Sequence, residues 1–299
     1  MDPSPQDPSR VDADRIDEIL ITAMLEEQFP RWSHLPVRFV QEGGNDHRMF
    51  RLGHDLVVRV PRAPGYVPQV EKEQRWLPVL GPTLPLPIPL LRGAGRASEL
   101  FPAPWSIYEW REGTPASRAD IGDRIRFAED LAQFLVALRG VDAAAGPRPG
   151  LHSAFRGGPL EHWDNEMADL LRRLNGDERD RAEAVWRDAL AAPFDGQPVW
   201  VHGDVAAANL LVRNRRLDAV LDFGCAAVGD PACDTVILWT LFSGASQAAF
   251  RKQLQVDEAT WTRGRGWALW KALIMITNIP AHQRRLARHV LEQLLDHPE

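Results

Sequence analysis

The stretch from His202 to Gly224 constrains this chain more than any other. It runs His202-Gly203-Asp204, then Val205-Ala206-Ala207-Ala208-Asn209, then the apolar run Leu210-Leu211-Val212. A polar turn at 213–216 leads into a second apolar run at 217–221, which ends at Asp222-Phe223-Gly224. Two apolar runs around a polar turn read as a β-hairpin. Asp204 and Asn209 precede the hairpin and Asp222 follows it, so three oxygen-bearing side chains fall on two short loops. Taken singly, each acid could merely close a turn. Taken together, in this order and spacing, they match the needs of ATP-dependent phosphoryl transfer. One Asp meets the acceptor hydroxyl's proton, and an Asn five residues on and an Asp beyond the hairpin hold Mg²⁺ against the phosphates.

Composition narrows the remaining classes. The 299 residues suffice for one two-lobed domain or two ordinary ones, and 44% hydrophobic with 25% charged residues is a globular balance. No apolar run approaches the roughly 20 residues of a membrane span, so no membrane partner is expected. Met1-Asp2-Pro3-Ser4-Pro5 lacks a basic-then-apolar leader, which gives a cytoplasmic expectation. A net charge of -6 argues against nucleic acid as a partner. Cys225 and Cys233 form neither a disulfide framework nor a zinc-ligand pattern, and both read as small buried residues.

The N-terminal third is β-rich. A helix is expected over 11–29, with Ile16, Ile19, Leu20, Ala23 and Met24 on its apolar face. Strands are expected at 37–41, 47–52 and 56–60, with turns at Gly43-Gly44-Asn45-Asp46 and Gly53-His54-Asp55. A helix over 67–80 ends at Gly81-Pro82. Strands at 88–91 and 105–110 complete a sheet of about five, and 111–115 reads as a linker. Helical patterns then dominate, at 118–138, 160–174, 178–190, 231–243, 247–254, 257–278 and 281–295. The predicted architecture is α+β and bilobal. A small antiparallel sheet lobe with one main helix spans 1–111, and a mostly helical lobe spans 112–299. The first lobe would clamp nucleotide; the second would carry the catalytic loops and the acceptor pocket.

With these motifs in place, the chain resembles the aminoglycoside phosphotransferase family, kinase-like enzymes of antibiotic inactivation. The resemblance rests on His202-Gly203-Asp204 with Asn209, on Asp222-Phe223-Gly224, and on Gly229-Asp230-Pro231 followed by Asp234. Gly203, where protein kinases carry Arg, and the missing Ala-Pro-Glu segment set it apart from protein kinases. The resemblance implies that Asp204 is the catalytic carboxylate and that Asn209 and Asp222 bind Mg²⁺. It implies a supporting role for His202, and capping and loop-bracing roles for Asp230 and Asp234. Where the family carries a phosphate-gripping Lys, this chain has Arg59, whose guanidinium keeps the charge. Glu73 is its expected carboxylate partner on the following helix, with Glu71 the alternative. Gly43 and Gly44 would let the turn approach the phosphates. The backbone of Glu109 and Arg111 would meet adenine.

The resemblance implies ATP and Mg²⁺ as cofactors and a small-molecule hydroxyl as substrate, with an aminoglycoside or related antibiotic first. A polycation needs acidic groups, and Glu161, Asp164, Glu166, Asp257 and Glu258 are the candidates. Trp261, Trp267 and Trp270, three of eleven tryptophans, could stack on a ring but suit a core as well. The rival readings are a kinase of a macrolide, sugar or choline-like amino alcohol, a catalytically silent nucleotide-binding module, and a protein kinase.

Overall fold

A computed structural model describes residues 15–41, 46–278 and 281–296. The chain divides into two units, one of Met1–Pro82 with Pro87–Glu112 and the other of Thr83–Leu86 with Gly113–Glu299.

In the first unit, α1 (Glu18–Gln28) starts at Asp17, whose carboxylate accepts from the backbone N–H of Leu20 at 2.8 Å. The part of the expected helix before residue 15 lies outside the described residues. The buried face differs from the expected one. Ile16 is buried from outside the helix, Ile21, Met24 and Leu25 are buried within it, and Ile19, expected inside, is 80% exposed. The strands are β1 (Val37–Phe39), β2 (His47–Leu52) and β3 (Leu56–Pro61), followed by α2 (Val67–Leu80), β4 (Leu91–Gly95) and β5 (Trp105–Glu109). They form one antiparallel sheet in the order β1-β2-β3-β5-β4. Phe50, Leu52, Val58, Val60, Trp105 and Ile107 join the buried face of α1 in one core.

β4 corrects the sequence reading, which placed this strand at 88–91. Gly93 and Gly95 are close-approach positions. A Cβ at Gly95 would lie 2.2 Å from the Trp105 indole, and one at Gly93 would lie 3.0 Å from the Phe29 ring. The missing side chains let two aromatic rings lie on the strand.

The second unit opens with β6 (Thr114–Pro115), then α3 (Arg124–Arg139), α4 (Asp164–Leu171), α5 (Gly176–Ala191), β7 (Val199–Val201), β8 (Leu210–Arg213), β9 (Arg216–Val220) and β10 (Ala227–Gly229). It closes with α6 (Ile237–Thr240), α7 (Gly244–Leu254), α8 (Glu258–Asn278) and α9 (Ala281–Asp296). The expected linker at 111–115 is partly strand, since β6 pairs with β8. β8 and β9 form the expected hairpin, turned by Asn214 and Arg215 at φ +52° and +62°. Two successive positive φ values match the twist of the flanking strands. β7 and β10 pair antiparallel and were not expected from the pattern. α3 begins at Asp123, which accepts from the N–H of Arg126, rather than at 118. The helix expected over 160–174 is a 3₁₀ turn, Leu160–Trp163, followed by α4. That over 231–243 is a 3₁₀ turn, Pro231–Val236, followed by α6. Among the described residues no helix is long and apolar enough to cross a membrane.

Candidate active site

The loop after β7 is held by a buried carboxylate. Asp234 accepts from the backbone N–H groups of His202 at 2.8 Å and Gly203 at 2.7 Å. Burial pushes the Asp234 carboxyl above its ordinary range, against the opposing pull of His202, the two N–H groups and Arg139. Gly203 is required here. Its φ is +81°, and a Cβ would lie 2.3 Å from the carbonyl oxygen of Cys225 and 2.9 Å from Cβ of Arg156.

His202 is fully buried and links the two loops. Its Nδ1 lies 3.2 Å from the N–H of Asp204 and its Nε2 lies 2.9 Å from the carbonyl oxygen of Leu221. Nδ1 must accept from an N–H, so the network assigns the ring proton to Nε2, which donates to Leu221. The ring also packs on Phe223, centroids 4.7 Å apart. The loop that presents Asp204 and the loop that presents Asp222 are thereby fixed to each other.

Asp204 and Asn209 are in direct contact. The Asn209 amide nitrogen donates to the backbone oxygen of Asp204 at 3.0 Å and to its Oδ2 at 3.2 Å. Oδ1 accepts from Nζ of Lys271 at 2.8 Å. Burial pushes the Asp204 carboxyl up, but the charge and hydrogen bond of Lys271, aided by Arg156, outweigh it and hold the group below its ordinary range. The charge of Asp222 acts in the opposite sense, so the two carboxylates sense each other. Asp222 sits at φ +63° and accepts from the N–H of Gly224 at 3.3 Å. The Asn209 amide nitrogen is committed to Asp204, which leaves the amide oxygen as its other end.

These donors fit Mg²⁺. A hard cation takes oxygen ligands and commonly one or two protein side chains, with phosphate and water completing the shell. Among the described residues no group of three or more His, Cys, Asp or Glu gathers as a metal cage. The Asp222 carboxylate and the Asn209 amide oxygen are hard oxygen donors of the kind that a nucleotide-borne Mg²⁺ takes.

In the first unit, Arg59 on β3 donates to both carboxylate oxygens of Glu73 on α2 at 2.8 Å. Their side chains are 12% and 1% exposed. Tyr108 adds an O–H donor to Glu73 at 3.2 Å. Burial, then the Glu73 charge, pushes the Tyr108 hydroxyl well above its ordinary range. Glu71 is exposed on another face of α2. The backbone N–H of Glu109 donates to the carbonyl of Leu90 at 2.9 Å, so that donor is already taken. Arg111 lies two residues on, beyond Trp110, whose N–H donates to Asp55. Gly43 and Gly44 lie outside the described residues.

A narrow cavity of about 10 Å³ beside Asp204 is lined by Arg156, Val205, Cys233, Trp267, Trp270 and Lys271, among others. The five acids considered for a polycation lie elsewhere. Asp164 accepts from the Trp186 indole and Glu166 from the Trp270 indole, both at 2.8 Å. Asp257 accepts from the N–H of Thr260 at the start of α8, Glu258 pairs with Arg251 at 3.4 Å, and Glu161 is exposed. Trp267 and Trp270 line the cavity, whereas Trp261 packs against Trp239 and Phe250. Asp230 caps the following turn and forms a buried two-pronged pair with Arg263 at 2.6 and 3.0 Å.

Sequence reasoning missed Lys271 and Arg156. Lys271 had a legible signal, since it is the sole charged residue between Trp267 and Asn278. Arg156 had none, because its loop meets Gly203 only in the folded chain.

Residues 38–267 match the model of the phosphotransferase enzyme family, and the chain belongs to that family. That family is one of phosphotransferases. No curated protein sequence matches the chain. Among solved structures, the GDP and kanamycin complex of the aminoglycoside phosphotransferase APH(2")-IIia is 20% identical with a TM-score of 0.74, covering 93% of this chain and 99% of that one. The macrolide 2'-phosphotransferase MphH from Brachybacterium faecium, as apoenzyme, is 22% identical with a TM-score of 0.63, covering 95% and 99%. The streptomycin–ATP complex of APH(2")-IIa is 21% identical with a TM-score of 0.60, covering 88% and 90%. These likenesses establish the α+β, protein-kinase-like fold.

Proposed function

We propose that the chain moves the terminal phosphoryl group of ATP, with Mg²⁺, onto a hydroxyl of a small molecule. The observation that carries this reading is the joined set Asp204–Asn209, with Asp222 in charge contact. Asp204 orients the acceptor hydroxyl and takes its proton as the new P–O bond forms. Asn209 and Asp222 hold Mg²⁺, which when bound neutralises charge on the phosphates. His202 and Asp234 keep the two loops in register. Arg59, steadied by Glu73, offers its charge to phosphate oxygens. The Glu109 carbonyl and the Arg111 N–H serve the base. In this reading residues 1–111 handle nucleotide and 112–299 carry chemistry and acceptor recognition. ATP as donor places the enzyme in the cytoplasm.

Antibiotics lead the acceptor candidates because the solved relatives are aminoglycoside and macrolide phosphotransferases. The test is a coupled ADP-release screen over aminoglycosides, macrolides, sugars and amino alcohols, repeated with Asp204→Asn. Turnover with Mg·ATP that drops about 10²- to 10⁴-fold in the variant supports the assignment. Unchanged turnover in the variant removes Asp204 from the mechanism. A silent module would gain thermal stability from nucleotide but transfer no phosphate to any acceptor.

A further inference from the structure

Resting on the reading of Arg59 as the phosphate contact, we infer that Tyr108 is a positioning residue for the nucleotide: through Glu73, its hydroxyl sets the attitude of the Arg59 guanidinium. β3 and β5 pair so that Val57 lies opposite Tyr108 and Arg59 opposite Ser106. Side chains alternate along a strand, so these four share one face of the sheet. Val58, Val60, Trp105 and Ile107 belong to the other face, in the core with α1. Glu73 of α2 reaches the first face, where Arg59 and Tyr108 both meet it.

The contacts form a directed chain that begins and ends on α2. The Gln74 amide nitrogen donates to the Trp105 carbonyl at 2.8 Å and to Oγ of Ser106 at 3.2 Å. The Ser106 hydroxyl hydrogen-bonds to Tyr108. The Tyr108 hydroxyl donates to Oε2 of Glu73 at 3.2 Å, and Nη1 of Arg59 donates to both oxygens of the same carboxylate at 2.8 Å. An ionised carboxylate only accepts and a guanidinium only donates, so the Tyr108 proton is directed at Glu73. Ser106, Tyr108 and Glu73 are each no more than 3% exposed, so bulk water does not compete for these bonds. Burial and the Glu73 charge keep the phenol protonated, so it remains a donor.

What this chain adds to the Arg59–Glu73 pair is direction. One nitrogen of Arg59 makes both bonds, an end-on contact about which the two planar groups can turn. A guanidinium recognises phosphate by the angle of its flat fork, whereas a Lys ammonium is a point charge that tolerates rotation. An Arg at this strand position therefore gains from a second donor on Glu73 that stops the turning. A phenylalanine at 108 would fill the same space without a buried hydroxyl to satisfy, and burying a polar group is costly unless it is bonded. The bond to Glu73 is what the hydroxyl supplies in return.

The experiment measures binding of Mg·AMP-PNP, an ATP analogue that resists transfer, to the full chain by calorimetry, so it needs no acceptor. Tyr108→Phe should weaken binding about three- to tenfold, the scale of one hydrogen bond. Ser106→Ala, one link back, should weaken it in the same sense, and it carries the test if Tyr108→Phe does not fold. In an Arg59→Ala background Tyr108→Phe should add nothing, because the hydroxyl acts through Arg59. With an accepted substrate, KM for ATP should rise while kcat stays unchanged. A lower Tm with unchanged binding in both variants overturns the inference, since a purely structural hydroxyl gives that result. Equal loss with and without Arg59 also overturns it. Binding that Arg59→Ala leaves unaltered overturns the phosphate reading of Arg59 and this inference with it, whereas loss in Arg59→Ala alone overturns only the role of Tyr108.

Discussion

Nζ of Lys271, in the middle of α8, lies 2.8 Å from Oδ1 of Asp204, sixty-seven residues earlier in the chain. The contact holds the carboxylate from one side while the Asn209 amide holds it from the other. Lys271→Met is expected to lower kcat about ten- to hundred-fold, the equivalent of one lost charged hydrogen bond. Initial rates at saturating ATP check this. A fall in Tm with kcat intact would make the lysine structural only.

Asn209→Ala and Asp222→Ala should weaken metal-dependent nucleotide binding more than nucleotide binding as such. Titrating ATP with and without Mg²⁺ by calorimetry separates the two. In the wild type Mg²⁺ should tighten binding, and in either variant most of that gain should vanish. An undiminished Mg²⁺ effect in both would relocate the metal.

Arg59 and Glu73 form a nearly buried pair, so their variants differ in kind. Arg59→Ala should raise KM for ATP, and Arg59→Lys should recover part of it. Glu73→Ala should also destabilise the fold by about 3 kcal/mol, because it leaves a guanidinium largely out of water without its partner. Chemical denaturation gives the second number. A KM for ATP unmoved by Arg59→Ala would assign the pair to folding alone.

The Asp230–Arg263 pair tests stability apart from chemistry. Both side chains are under a tenth exposed. Asp230→Ala strands a buried guanidinium and is expected to cost about 3–5 kcal/mol. Urea unfolding should show the midpoint shift, and a shift within error would mean that water solvates Arg263.

Alkaline pH should destabilise the protein through Cys233 and Tyr108. Burial, then the charges of Asp234 and Asp230, pushes the Cys233 thiol well above its ordinary 9.0. Tyr108 is raised well above 10.0. Below the ordinary values both the folded and unfolded states keep these protons and neither group contributes. Above them the unfolded chain ionises while the folded chain does not, so stability falls by up to about 1.4 kcal/mol per pH unit per group. Tm measured from pH 7 to 10 should decline, and less steeply in Cys233→Ala. In the native state Cys233 should also react with a thiol reagent far more slowly than after denaturation.

Several elements were legible because their causes are local. The bounds 47–52 and 67–80 emerged from alternation and from Gly-Pro punctuation, and β2 and α2 occupy them. The hairpin was equally clear, since Asn214 and Arg215 turn it within four residues. Errors arose where distant packing overrode local signals. The strand expected at 88–91 lies at 91–95, where Gly93 and Gly95 sit under Phe29 and Trp105. β7 and β10 are three residues each, too short to show a period, and exist through pairing with each other. Ile19 fell on the wrong side because the stripe of α1 that meets the sheet is Ile21, Met24 and Leu25, and packing against the sheet selects it.

The sequence by itself determined the chemical core. Asp204, Asn209 and Asp222 are brought together by one tight hairpin, and spacing along the chain is enough to specify that. The family resemblance also pointed to Glu73 as the partner of Arg59, and the two pair. Only the tertiary structure decided what surrounds the Asp204 carboxylate. Lys271 arrives on a helix far down the chain, and Arg156 on a loop that fits against a glycine. Long-range packing selects such neighbours, and no local pattern encodes it. The same packing sends Glu166 to the Trp270 indole and Asp257 to a helix start, so Asp204 is the one acid among the residues lining the cavity, beside Arg156 and Lys271.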